Sequence, residues 1–227
     1  MAEVSVPLMV LCRCSAVCGR RHRAGCAGLP GDGGRAALLI EAGGYFEEEA
    51  KAYNREMGLR IREAQAADVG LMLEFIRALA VFEREPDAVT ATEADLLRDG
   101  FGEQPYFYCV IAEWDGQPAG FAFYFFNYST WTGRPGLYLE DVYVHTEFRG
   151  RGIGKALLAR VAAIAVEKNC PRLQWEVLDW NTPAVEFYRS LGADFLDEWR
   201  NVRMTGEALG RLAGLDGPGG KADSLQE

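Results

Sequence analysis

The chain has 227 residues, 49% of them hydrophobic and 25% charged, which suits one sizeable globular domain or one domain with an appendage. Basic and acidic residues balance over residues 1–57, so the whole net charge of -9 falls from Gly58 onward. An acidic domain of this kind argues against nucleic acid as a partner and for a cationic ligand, and no apolar run approaches the ~20 residues of a membrane span.

Residues 1–57 are rich in Gly, Ala, Arg and Cys and show no sustained periodicity. The opening VSVPLMVLC is too short for a span and lacks the positively charged start of a secretory signal. Cys12, Cys14, Cys18, His22 and Cys26 invite a zinc reading, but their spacing does not match the usual paired C-x2–4-C knuckles. The segment reads as a leader, or as an extension upstream of a natural start at Met57, with a short charged helix over Tyr45 to Glu56. Cys109 and Cys170 stand alone in apolar contexts, so the larger part has no disulfide framework, which fits a reducing cytoplasm.

From Leu59 the pattern becomes regular. LRIRE alternates like a half-buried strand, and AADVGLMLEFIRALAVFE carries apolar residues at helical spacing. Thr90 to Arg98 suggests a second helix, with Thr92 or Thr90 as its cap. PYFYCVIAEWDGQPAGFAFYFFNY reads as two strands joined at Asp115-Gly116, a strong hairpin signal. A further strand is expected over Leu137–Val144, a helix over Ile153–Lys168 and a strand over Arg172–Leu178. A short helix follows, capped by Thr182, with Pro183 in its first turn and Gly192 at its end. DEWRNVRMT suggests a last strand, and the tail from Gly214, polar and Gly-rich, reads as disordered.

The stretch FRGRGIGKALL, Phe148 to Leu158, sits between a strand and a helix. Backbone N–H groups at a helix start are unpaired and carry partial positive charge. Glycines let that backbone approach a phosphate closely, and Arg149 and Arg151 add charge. A pyrophosphate cradle is therefore expected. The spacing fits neither G-x-x-x-x-G-K-[ST] nor G-x-G-x-x-G. It is Arg149-x-x-Gly152-x-Gly154.

That motif, after a strand and before a helix, resembles the acetyl-CoA pyrophosphate motif of the GNAT N-acetyltransferases. FERE, LLRDGFGEQPYFYCVIAE, LYLEDVYV, FRGRGIG and NTPAVEFYRSLGA resemble the spermidine/spermine (diamine) N-acetyltransferase branch. The likeness runs from about Leu59 to Leu212. It implies an α/β fold with a mixed central sheet, in the order β-α-α-β-β-β-α-β-α-β-β, and a splayed V between the fourth and fifth strands. Residues 58–213 would then be the N-acetyltransferase domain, with an extension over 1–57 and a tail over 214–227.

The resemblance also implies roles. The pantetheine arm of acetyl-CoA would add along Val142, Tyr143 and Val144. Arg149, Gly150, Arg151, Gly152, Ile153, Gly154 and Lys155 would hold the pyrophosphate, and Asn181, Thr182, Pro183 and Ala184 would touch the cofactor from the other side. Tyr188 would be the general acid for the departing sulfur. Glu140 would bind the acceptor amine and pass its proton on through water. Neighbouring Glu140 and Asp141 are expected on opposite faces of their strand. Phe82 and Glu83 would form one wall for a polyamine, and Gln174, Trp175 and Glu176 another. Glu198, or Asp197, would supply the far carboxylate. No metal is implied, and a homodimer is. The acceptor would be a diamine or polyamine, with thialysine, another lysine-like amine or a protein amine as the alternative. A CoA-binding sensor is the reading outside the enzymes, and needs only the CoA half of the site.

Overall fold

The computed structural model describes residues 58–214. The expectations for residues 1–57, the zinc reading and the Tyr45–Glu56 helix among them, lie outside the described residues, as does the tail beyond Gly214.

β1 (Leu59–Glu63) pairs antiparallel with β2 (Tyr108–Trp114), from Leu59 opposite Trp114 to Glu63 opposite Val110. Arg62 ties this edge down. Its Nε reaches Glu113 at 2.6 Å, and its two terminal nitrogens reach Asp68 at 2.7 and 2.8 Å. Those bonds hold the carboxyl of Asp68 below the usual carboxylate range. The 3-10 turn Ala66–Asp68 then leads into α1 (Val69–Phe82). Met72, Leu73, Phe75, Leu79 and Ala80 line one buried stripe of α1, as apolar residues at helical spacing must. The stripe packs on Ile111, Phe121 and Tyr143 of the sheet. α2 (Glu93–Phe101) starts at Thr92, whose hydroxyl accepts from the Asp95 N–H while Asp95 accepts from the Thr92 N–H.

Asp115 and Gly116 both take left-handed backbone, φ 49° and 78°, as the two-residue hairpin turn requires. They join β2 to β3 (Gln117–Ser129), which pairs antiparallel in turn with β4 (Arg134–Val144). β4 begins at Arg134, earlier than the expected Leu137, because the long β3–β4 hairpin zips down to Ser129 opposite Arg134. Its register slips once. Phe123 lies opposite Asp141 but Tyr124 opposite Leu139, so Glu140 is the extra residue of a β-bulge.

α3 (Ile153–Glu167) buries Ile153, Gly154, Leu157, Leu158, Val161, Ile164 and Ala165. β5 is shorter than the expected Arg172–Leu178. Only Leu173–Gln174 pairs, parallel to β4 at Leu137 and Tyr138. From Trp175 the chain leaves β4, so Leu139–Val144 has β3 on one side and no strand on the other among the described residues. The mixed sheet therefore has the order β1-β2-β3-β4-β5 and opens between its fourth and fifth strands.

α4 (Thr182–Ser190) follows. Its cap is Asn181 rather than Thr182: the Asn181 Oδ1 accepts from the Ala184 N–H at 3.4 Å, and Thr182 is already the first helical residue. The described chain divides into two compact units, the first ending at Asp194 and the second beginning at Phe195. The second unit holds a short helix, α5 (Gly206–Leu212), where no helix was expected. The strand expected over DEWRNVRMT is not there. A strand exists only by pairing with a neighbour, and no described strand pairs with that stretch.

Candidate active site

Three segments converge on the open end of the sheet: the loop after β4, the C-terminal end of α1, and the loop from β5 into α4. β4 is followed by the turn Thr146–Phe148, then by Arg149–Gly152. Gly150 and Gly152 both stand at φ 76°, backbone that side chains rarely adopt. Gly152 caps α3, and a Cβ built on it would meet nothing within 4 Å, so open space faces the helix start. The first turn of α3 contains no acid to neutralise its N–H groups. The cradle expected for a pyrophosphate is thus a left-handed turn, an uncovered helix terminus and free space in front of it. These residues fit the phosphates of acetyl-CoA.

The two arginines diverge. Arg149 turns inward: its Nε donates to the Val144 carbonyl at 3.0 Å, and its guanidinium lies 5.3 Å from the Phe82 ring centre and 5.8 Å from that of Tyr143. Burial pushes the Tyr143 phenol up, and Arg149 partly opposes this. Arg151 turns outward, over Trp114 at 5.1 Å and Phe148 at 5.5 Å. Lys155 is exposed on the first turn of α3, while Ile153 and Gly154 are buried.

Val142, Tyr143 and Val144 are buried through their side chains, yet their side of β4 away from β3 carries no strand among the described residues. Such an edge can accept an extended, amide-bearing arm as an added strand. Across the opening, Asn181 is 2% exposed and Ala184 is fully buried, whereas Thr182 is exposed and Pro183 half-buried.

Tyr188 sits on α4, 1% exposed, edge-on to Trp175 at 5.2 Å and to Phe187 at 5.6 Å. Its hydroxyl is buried and has no hydrogen-bond partner among the described residues. A core tyrosine normally finds one, because a buried orphan hydroxyl costs about 1–3 kcal/mol. Burial also pushes this phenol well above its ordinary range, so it holds its proton. A proton donor kept dry and unpartnered suits a group that bonds only when a ligand arrives.

The bulge interrupts the strand period at Glu140 and Asp141, which alternation would set on opposite faces. Asp141 lies opposite Phe123, and its carboxyl is raised well above the usual range, first by burial, then by Glu140 and by Glu83. The two acids of β4 and the acid that ends α1 therefore share one electrostatic neighbourhood. An acid whose folded pKa is raised is stable as the neutral form. Its contribution is full below the ordinary value of ~3.9 and is lost as pH rises toward the folded pKa. Asp141→Asn removes that loss. The variant is expected to melt higher than the parent at pH 8 and at nearly the same temperature at pH 4. Equal melting at both values would dismiss the burial cost.

Of the expected substrate residues, Phe82 and Glu83 stand at the end of α1. Phe82 lies between Arg149 and Trp180, whose ring is 5.7 Å away. Gln174 ends β5, and half-buried Trp175 and Glu176 begin the diverging loop. Asp197 and Glu198 are exposed and belong to the second unit. Sequence reasoning missed Asp141 as part of the acid cluster, and it missed Trp180 and Arg84. A tryptophan beside the capping asparagine was the one available signal. A cavity of about 550 Å³ lies elsewhere, at the start of β2, lined by Tyr108, Tyr124, Arg160 and others, and none of the expected site residues lines it.

The family profile described as Acetyltransferase (GNAT) matches residues 73–193. The chain is 46% identical over 165 residues to a thialysine N-epsilon-acetyltransferase of Sus scrofa, covering 68% of this chain and 96% of that protein. It is 42% identical over 160 residues to a human spermidine/spermine N(1)-acetyltransferase-like protein 1, covering 66% of this chain and 23% of that one. Among solved structures, an integron cassette protein from the mobile metagenome of V. cholerae superposes with a TM-score of 0.59 at 30% identity, covering 69% of this chain and 98% of that one.

Proposed function

We propose, since the chain belongs to the GNAT family of acetyltransferases and is an acetyl-CoA-dependent N-acetyltransferase, that its acceptor is a small, flexible primary amine that arrives as a cation. What supports this is that the charges of Glu140 and Glu83 act on the Asp141 carboxyl, beside the bulge in β4. A primary ammonium has a pKa of ~10.4 and must lose its proton before it can attack. An ionised carboxylate of this group attracts the ammonium and offers a nearby place for that proton. Lysine-like amines of the thialysine kind come first, in keeping with the relative from Sus scrofa. Polyamines come second, because the same acids suit a longer dication and because of the human relative's name.

Acetyl-CoA supplies the thioester acyl group. Gly150, Gly152 and the start of α3 hold its phosphates, Val142 to Val144 offer the strand edge, and Asn181 to Ala184 close the other side. Tyr188 keeps a proton for the sulfur that departs. Transfer is read as direct, within a ternary complex, because both cysteines among the described residues, Cys109 and Cys170, are buried and burial pushes their thiols up.

An acceptor screen that reads thiol release tests the reading, with thialysine, lysine, putrescine, spermidine, spermine and a peptide panel. Thialysine and at least one polyamine should outrun every peptide. A peptide that outruns them all overturns it. Glu140→Gln should lower kcat/KM for the acceptor by about tenfold or more, with acetyl-CoA affinity unchanged by calorimetry. Lost CoA affinity instead would give Glu140 a structural role.

The same reading includes a homodimer. The second unit exposes Leu196, Trp199, Val202, Met204, Leu209 and Leu212, each between 47% and 81% accessible. A set of this size on one short segment suits an interface with a second copy. Sedimentation that finds only monomer at micromolar concentration would refute it.

A further inference from the structure

The geometry points to Trp180 and Arg84 as a positioning pair that holds the far side of the cofactor cleft in place. The inference rests on the assignment of this cleft to acetyl-CoA.

Trp180 immediately precedes Asn181, the cap of α4, and it lies on the loop that has left β4. Among the described residues no strand pairing fixes this loop against the sheet. Trp180 is 44% exposed, yet its ring meets two residues at the end of α1. The Phe82 ring centre is 5.7 Å away, tilted by 34°. The Arg84 guanidinium carbon lies 4.7 Å from the ring centre, within the range of a cation–π contact.

Arg84 is built for this reach. It stands at φ 69°, left-handed backbone that a non-glycine residue takes only at some cost. Its N–H donates to the Val81 carbonyl at 3.2 Å, and the Glu85 N–H donates to the Ala80 carbonyl at 2.9 Å, so α1 ends in a tight wrap that throws Arg84 back. Phe82 also bears the guanidinium of Arg149, which comes from the opposite side of the cleft. Arg149, Phe82, Trp180 and Arg84 thus form one continuous stack. It runs from the phosphate loop to the head of α4, where the sheet itself has opened.

The consequence is specific. Asn181 and Ala184 are offered to the cofactor by the start of α4, and Tyr188 rides on the same short helix. Their position against β4 depends on where Trp180 is clamped.

The test is a double-mutant cycle read by calorimetric titration of acetyl-CoA, with the full chain and no acceptor present. An error about the acceptor therefore leaves this experiment untouched. Trp180→Ala is expected to weaken acetyl-CoA about tenfold, and Arg84→Ala about threefold, the size of a half-exposed cation–π contact. The double variant should bind no worse than Trp180→Ala, since Arg84 has nothing left to brace. Trp180→Phe and Arg84→Lys should bind within about twofold of the parent, because each keeps half of the contact. Melting temperatures should stay close to the parent's throughout. Losses that multiply to about thirtyfold, or a Trp180→Ala that binds like the parent, would overturn the pairing. Trp180→Leu, which keeps apolar bulk but no ring, takes the place of the alanine if that variant does not fold, with the same outcomes.

Discussion

Tyr188→Phe should lower kcat by about two orders of magnitude, within the ~10²–10⁴-fold range of general acid catalysis, and leave the acetyl-CoA KM little changed. The substitution removes one oxygen and keeps the ring, so the edge-on contacts with Trp175 and Phe187 survive. The hydroxyl it removes is buried and unpartnered among the described residues. Losing it cannot break a hydrogen bond, and the melting temperature should hold or rise. A merely structural tyrosine would show the reverse, a normal kcat with altered melting. The loss should stop short of complete inactivation. A thiol has a pKa of ~8.5, so thiolate already leaves tolerably near neutral pH. Measuring kcat and melting on one purified variant separates the two roles, and an unchanged kcat removes Tyr188 from the chemistry.

Gly152→Val should raise the acetyl-CoA KM by about a hundredfold, because two effects add. At φ 76° a β-branched residue is strained by roughly 1–3 kcal/mol, so the turn before α3 shifts. The new side chain would also fill the space in front of the helix start, where phosphate oxygens must sit against backbone N–H groups. Gly152→Ala separates the two, since alanine keeps the strain but fills less of the space. Normal acetyl-CoA affinity in the valine variant would mean that the phosphates bind elsewhere.

Where a feature is local, the sequence announced it. Asp115-Gly116 specified its turn because both residues tolerate left-handed backbone. Arg149-x-x-Gly152-x-Gly154 marked the turn before α3, where Gly150 and Gly152 take left-handed backbone. Thr92 found its partner Asp95 within one helical turn. The features that escaped depend on partners distant in sequence. The bulge at Glu140 is a register event between two strands, invisible in the alternation of either one. β5 stops after two residues because β4 and the chain from Trp175 diverge in space, although RLQWEVL alone reads as a full strand. Asn181 displaced Thr182 as cap by one position, within the ordinary ambiguity of adjacent capping residues. Trp180 and Arg84 meet across nearly a hundred residues, through an arginine whose backbone takes a conformation that its residue type disfavours.

The unpaired side of β4 has a further consequence, for the handling of the protein rather than its chemistry. A stretch of extended backbone with open N–H and C=O groups is a template for any other strand, including that of a neighbouring molecule. In the proposed complex the cofactor covers this stretch, which would make the ligand-free enzyme the sticky form. Ligand present at about a hundred times its Kd adds about 2.7 kcal/mol to stability by mass action alone. Purification and storage with CoA in the buffer should therefore suppress precipitation more than the gain in melting temperature would suggest, because the ligand also caps the edge along which chains would join.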